Sequence, residues 1–259
     1  MPPVPSARWL RYTHDGRGGF GRLEGDGIAV HAGDLFSDPT PTGETLPLAA
    51  VTLDIPCRPG KLIALWNNFH AAAEKQGLDR PDAPLFFVKP PNTYRASGET
   101  VTIPDGLGRI LFEGELGIVI GRRGRDLSPE AAAGHIFGYT CVNDVTALEV
   151  LKADPSFPQW TRAKGFDGFG PFGPVIATGL DPDALSVAVQ VNGRERQRYP
   201  LADMIFKPHE IVALVSRGMT LEPGDLIACG TSNGAGPIPK GATVAVEIDG
   251  IGTLSNAFA

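Results

Sequence analysis

Glu113 and Glu115 stand one residue apart inside the apolar run from Ile110 to Ile120. The run is short, β-branched and closed by Gly121-Arg122-Arg123-Gly124, so it reads as a strand. Side chains alternate along a strand, which puts Glu113, Glu115, Gly117 and Val119 on one side and Leu116, Ile118 and Ile120 on the other. Two carboxylates side by side in so apolar a segment repel each other and resist burial unless a proton or a cation offsets them. A third acid, Asp144, ends a second apolar run that begins at Ile136. Three carboxylates with no cysteine or histidine among them suit a hard ion: Mg²⁺, Mn²⁺ or Ca²⁺. An edge strand carrying two solvated glutamates accounts for the spacing equally well.

Other residues offer chemistry of a different kind. His70 and Glu74 lie four apart in a segment read as a helix over about 69–77, hence on one face and within hydrogen-bonding reach. A carboxylate beside an imidazole fixes its tautomer and raises its pKa, as a general base requires, although an ordinary surface pair has the same spacing. Lys164 sits in the glycine- and aromatic-rich stretch from Trp160 to Pro174, read as an irregular loop that aims the ammonium at a ligand. Thr231 and the neighbouring amide of Gly230 end a strand in a small-residue loop able to hold a carboxylate.

The elements that must position these groups are mostly strands. With 33 glycines, 24 prolines and few long helical patterns, the chain reads as β-rich and full of turns. Asp15-Gly16, Asp26-Gly27 and Asn192-Gly193 are hairpin signals, and the segment from Asp38 to Thr42 is linker-like. Leu62–Trp66 and Leu85–Lys89 read as strands, with Asn67-Asn68 capping the helix between them. Ser128 followed by Pro129 opens a short helix, residues 145–152 are helix-like, and Pro208–Arg217 is the best amphipathic helix. The expectation is an α+β, β-rich chain with a small N-terminal β domain over residues 1–57 and a larger domain over 58–259.

Composition removes several function classes. A formal net charge of -6 with no basic run argues against nucleic acid or anionic membrane as a partner. Cys57, Cys141 and Cys229 form no CxxC and read as buried reduced thiols in a cytoplasmic protein. Residues 1–6 hold no apolar signal region, and no run reaches membrane-spanning length.

Together, Phe112–Gly121, Gly138–Thr146, Arg162–Asp167, Gly224–Thr231 and Ile251–Asn256 resemble the metal-binding core of the fumarylacetoacetate hydrolase superfamily. The resemblance runs over about residues 58–259. It implies a mixed β-roll catalytic fold, a homodimer, Glu113, Glu115 and Asp144 as ligands of Mg²⁺ or Mn²⁺, Lys164 facing the substrate and Thr231 contacting its carboxylate. Substrates of the superfamily are small 2-oxo or 1,3-dicarbonyl acids, which chelate the metal and pass through an enolate. The sequence departs from the superfamily at two places. The histidine and glutamate of its lid dyad are three apart, whereas His70 and Glu74 are four apart. Leu148 stands where many relatives carry an arginine.

C–C hydrolysis of an acylpyruvate, with His70 oriented by Glu74 to activate water, is the expected reaction. Isomerisation of a 2-hydroxyhepta-2,4-diene-1,7-dioate or 5-carboxymethyl-2-hydroxymuconate in aromatic catabolism, or decarboxylation of an oxaloacetate-type acid, needs the same enolate. A non-catalytic metabolite sensor and an iron oxygenase rank below these, since the carboxylates are intact and a two-His, one-carboxylate triad is missing.

Overall fold

The computed structural model describes residues 6–259, and the amino-terminal segment discussed above lies largely outside them. The chain begins with an antiparallel meander, β1 (Ala7–His14), β2 (Arg17–Glu24) and β3 (Gly27–Ala32). Asp15 and Gly16 both have positive φ, 47° and 75°, as a two-residue type I′ turn demands. The second turn falls one residue earlier than expected. Glu24 pairs with Gly27, so Gly25 and Asp26 form the loop, and Gly25 takes the left-handed φ of 60°. The segment read as a linker is instead the start of β4 (Thr40–Pro47), an edge strand that tolerates its prolines because one side makes no ladder. A short β5 (Thr52–Asp54) then pairs with β1.

The larger part runs through β6 (Leu62–Trp66), α1 (His70–Gln76), β7 (Leu85–Lys89), β8 (Tyr94–Arg95), β9 (Thr100–Val101), β10 (Ile110–Phe112) and β11 (Gly114–Ile120). It continues through α2 (Pro129–Ala133), β12 (Ile136–Asn143), β13 (Thr146–Ala147), α3 (Leu148–Leu151), α4 (Trp160–Lys164) and β14 (Gly170–Thr178). Next come β15 (Ser186–Val191), β16 (Arg194–Pro200), α5 (Pro208–Val215), β17 (Leu226–Ala228), β18 (Gly236–Pro237), β19 (Thr243–Ile248) and β20 (Gly252–Phe258). Ser128 caps α2 by accepting the Ala131 amide, and Asn192-Gly193 closes the β15–β16 hairpin, both as expected.

A twelve-stranded sheet follows the path β4-β3-β2-β1-β14-β12-β11-β17-β6-β7, with β5 and β8 off that path. Because β1 pairs with β14, one hydrogen-bonded ladder runs from the N-terminal strands into those that carry the acids. A five-stranded sheet, β16-β15-β19-β20-β9, packs on one face. Gly114 of β11 lies against Val187, Val189 and Val246 there, and Leu116, Ile118 and Ile120 are buried in the same core. The opposite face of β11 packs Val119 with Val142, Leu62 and Leu226. This two-sided burial explains why β11 is apolar almost throughout, and why a glutamate in it needs a special reason.

Four local readings are corrected. The run from Ile110 to Ile120 is two strands in different sheets, broken at Glu113, whose N–H donates to Asn143 Oδ1 (3.1 Å) and whose carbonyl accepts the Asp144 amide (2.9 Å). The stretch from Trp160 to Pro174 is not an irregular loop throughout; it starts as α4 and ends inside β14. The helix expected over 145–152 is β13 followed by the single turn α3. Asn67 and Asn68 cap nothing: Phe69 is the N-cap of α1, while buried Asn68 bonds Phe206 and the Cys229 carbonyl and so ties three segments together. All three cysteines are buried and free, and no helix among the described residues is long and apolar enough to cross a membrane.

Candidate metal centre

Antiparallel register builds the centre. Gly114 of β11 faces Asn143 of β12, so Asp144, one residue past the end of β12, arrives beside Glu113 at the break between β10 and β11. Gly114, between the two glutamates, admits no side chain, since a Cβ there would lie 2.3 Å from Val189 Cγ2. Its backbone is held by side chains: the carbonyl accepts the hydroxyls of Tyr199 (2.6 Å) and Thr231 (3.0 Å), and the amide donates to Gln197 (3.3 Å). One oxygen from each of Glu113, Glu115 and Asp144 lies within 4.8 Å of the others.

The three carboxylates have unequal company. Asp144 is fully buried and accepts from Lys89 on one oxygen and from Lys164 on the other, each at 2.5 Å. Burial works against its charge, but the two ammonium groups outweigh that and hold its pKa low. Glu113, half-buried, accepts the Thr146 hydroxyl (2.6 Å) on one oxygen and Lys164 (3.0 Å) on the other. Glu115 is also fully buried, yet its Oε2 has only the Gly230 amide (2.8 Å) and its Oε1 has no partner. Burial, reinforced by Asp144 and Glu113, pushes its pKa well above the carboxylate range.

Both lysines are buried beneath the acids. Burial lowers the Lys89 pKa and Asp144 offsets that only in part, with Lys164 adding repulsion. At Lys164 burial is overcome by Asp144 and Glu113, and the pKa rises. The local periods explain how the pair is delivered. Lys89 lies two residues after Phe87 on β7, and Lys164 four after Trp160 on α4, so each lysine shares a face with an aromatic ring. The Phe87 and Trp160 rings stack at 5.4 Å and 18°, and the Lys164 ammonium lies 5.1 Å from the Phe87 centroid.

This donor set fits a divalent cation. A buried carboxylate oxygen with no hydrogen-bond partner is rare and costly in a folded protein, and Glu115 Oε1 is such an atom at the centre of the trio. A divalent ion would displace the Glu115 proton. With three ionised carboxylates against two ammonium groups and the ion, the centre would carry one net positive charge and attract an anion. All-oxygen donors suit Mg²⁺ or Mn²⁺, with Glu113, Glu115 and Asp144 as the residues that would hold the ion.

A cavity of about 730 Å³ opens over the centre, with Glu113, Thr146 and Thr231 in its wall. The Thr231 hydroxyl donates to Gly114 and accepts from Gln197 (2.8 Å), which fixes its orientation. The Gly230 amide, read as a substrate contact, is already engaged by Glu115. His70 and Glu74 are not brought to this place. Ala72 and Gln76 of α1 line the cavity, and His70 lies two residues from Ala72, about 200° round the helix. Both His70 and Glu74 are exposed, and no hydrogen bond joins them among the described residues. Lys89 is the member of this buried cluster that sequence reasoning missed. Its signal was a lysine on the same strand face as Phe87, ending an apolar strand just before two prolines.

Comparison with known proteins agrees with this geometry. Residues 7–56 match the family described as Rv2993c-like, N-terminal, and residues 61–259 match the one described as fumarylacetoacetate (FAA) hydrolase C-terminal. The oxaloacetate tautomerase YisK of Bacillus subtilis is 36% identical over 90% of this chain and 83% of its own length. A 2-hydroxyhepta-2,4-diene-1,7-dioate isomerase from Mycobacterium marinum superposes with a TM-score of 0.90 at 38% identity, covering 98% of each chain. A maleylpyruvate hydrolase from Sphingobium sp. SYK-6, solved with manganese(II) and pyruvate, superposes with a TM-score of 0.80 at 28% identity over 97% of this chain and 98% of that one. The strand-rich architecture and these matches agree on one conclusion: the chain belongs to the fumarylacetoacetate hydrolase family, whose named members include hydrolases, isomerases and tautomerases.

Proposed function

We propose that the protein is a divalent-metal-dependent enzyme that enolises small 2-oxo acids, a tautomerase or isomerase, with Mg²⁺ or Mn²⁺ held by Glu113, Glu115 and Asp144. The observation that carries this reading is the bare Oε1 of buried Glu115 amid two other carboxylates and two buried ammonium groups. When bound, the ion supplies Lewis-acid polarisation of the 2-oxo acid's oxygens. Lys164, kept charged by Asp144 and Glu113, provides a fixed positive charge beside the place where negative charge develops on the substrate. Thr231 lines the approach; its hydroxyl, fixed by Gln197 and Gly114, gives up the Gly114 bond to donate to the substrate carboxylate. Thr146 and Lys164 fix the Glu113 carboxylate, so the acid nearest the cavity keeps one orientation.

Acylpyruvate C–C hydrolysis is the second reading, and the manganese- and pyruvate-bound maleylpyruvate hydrolase favours it. It requires a base that activates water, so α1 must turn His70 inward. Enolisation passes a proton between the substrate's C3 and its oxygen, for which water in the cavity serves as carrier, and it needs no attacking water. It therefore asks less of α1 and fits this geometry better. Decarboxylation of an oxaloacetate-type acid shares the enolate and ranks third. The test is a panel of enolisable 2-oxo acids and acylpyruvates with Mg²⁺ or Mn²⁺, with and without EDTA, followed by ultraviolet absorbance of the enol and product analysis. Metal-dependent enol–keto conversion with no fragment released is the expected result. Release of pyruvate and a carboxylic acid moves the protein to the hydrolases, and no turnover of any member removes the reading.

A homodimer is proposed as well. Strand β7 ends the twelve-stranded sheet and exposes Leu85, Phe86 and Val88, an apolar edge that a second copy covers. Sedimentation velocity giving a monomer at micromolar concentration would overturn it.

A further inference from the structure

Much of the cavity wall is apolar. Besides Glu113, Thr146 and Thr231 it is built by Trp66, Trp160, Leu111, Leu148, Leu151 and Pro158. Trp66 and Trp160 lie 5.6 Å apart at an interplanar angle of 53°, and Trp160 is backed by the stacked Phe87, so the indoles form a braced, angled apolar surface. No arginine or histidine contributes to the main cavity's wall among the described residues.

We infer that the part of the substrate beyond its 2-oxo acid head is uncharged and apolar, an aryl or branched alkyl group, and that a second carboxylate is disfavoured. This rests on the reading of the centre as a site for 2-oxo acids. A second carboxylate entering this end finds one cation, Lys152, exposed to water and accompanied in the wall by Asp154. Such a hydrated, partly neutralised ammonium is a weak partner for an anion. Asn67 offers no better one: its amide nitrogen is engaged by the Asp79 carbonyl (3.1 Å), and its buried Oδ1 is an unpartnered acceptor, which repels a carboxylate. An aryl group loses little on leaving water and gains the faces of Trp66, Trp160 and Leu148. Trp160 also couples the two ends of the site, since it shares the single short helix α4 with Lys164. Lys164 and the Trp160 indole are therefore held at a fixed separation, and a substrate is measured against both at once.

The experiment compares phenylpyruvate with oxaloacetate on the full chain with Mn²⁺ present. These two share the 2-oxo acid head and differ at the far end. Two quantities are read: kcat/KM for enol–keto conversion, and binding affinity from quenching of the Trp66 and Trp160 fluorescence. Phenylpyruvate is expected to be preferred by about 10- to 100-fold in both, the discrimination typical of an apolar pocket. Leu148→Arg, which adds a cation to the wall, is expected to shift the ratio toward oxaloacetate by at least about 10-fold. If neither compound is turned over, the enolisation reading fails, and the binding ratio alone then decides the distal preference. Equal or tighter binding of oxaloacetate by the unmodified chain, or no binding of either, would overturn the inference.

Discussion

The acid centre and the helix α1 hold the two sets of groups with catalytic chemistry, and they are built on opposite principles. At the centre, β11 and β12 fix Glu115 and Asp144 by hydrogen-bonded register, and β7 and α4 deliver Lys89 and Lys164 beneath them. Every one of these four side chains is buried, so each charge depends on its neighbours. On α1, by contrast, His70 and Glu74 stand in water on a seven-residue helix, with no bond between them. Spacing alone made the two sets look comparable. Burial separates them, because a charge in a sheet interior persists only with a partner, whereas an exposed i,i+4 pair needs no purpose.

The sharpest way to break this contrast is to remove the acid paired with both ammonium groups. Asp144→Asn leaves Lys89 without its ion-pair partner and Lys164 with Glu113 alone. We expect a loss of about 3–5 kcal/mol in unfolding free energy by chemical denaturation, as for breaking a buried ion pair, together with loss of metal binding. Second in size, Lys164→Met is expected to lower kcat by about 10²- to 10³-fold, the cost of removing one charge-stabilising group, with a smaller change in KM. A change confined to KM would show that Lys164 only binds substrate.

A pH series sharpens the comparison further. Glu115 has a folded-state pKa above its unfolded value, so the metal-free protein binds a proton there that the unfolded chain has already lost. Its stability is therefore expected to fall as pH rises from the ordinary glutamate range through the raised value. Asp144 acts oppositely: its depressed pKa contributes stability that is lost as pH drops through the folded value. Glu115→Gln should flatten the first trend and leave the second, as read by melting temperature in EDTA across pH 3 to about 8. An unchanged slope in that variant would show that another group titrates. The smallest effect belongs to α1. His70→Ala is expected to change kcat/KM for enol–keto conversion by less than about 3-fold, far below the 10²- to 10⁴-fold typical of a general base. A loss in that larger range would bring α1 into the active site as the proton carrier of the reaction.

Much of the centre was legible because its residues obey short-range rules. Glu-x-Glu in an apolar run followed by an acid at the end of a second run is visible without coordinates, and Asp144 landed where strand pairing put it. What stayed hidden came from long-range contacts. Lys89 reaches Asp144 across 55 positions, and Gln197 reaches Gly114 across 83, separations that no local pattern encodes. The break at Glu113 was missed for the same reason, since Asn143 and Asp144 pull its backbone out of the ladder. Asn67-Asn68 misled because cap chemistry and buried cross-linking use the same side chain. Asp15-Gly16 and Asn192-Gly193 mark their turns correctly because a positive φ is a local demand, whereas pairing of Glu24 with Gly27 moved the turn expected at Asp26-Gly27 one residue back.

The most direct test of the account is a Mn²⁺ titration by electron paramagnetic resonance or calorimetry on the unmodified chain and on Glu115→Gln. The account predicts one bound ion per chain in the former and affinity lowered by about 10²-fold or more in the latter, with the variant still folded by circular dichroism. Absence of binding by the unmodified chain, or equal affinity in both, would contradict it.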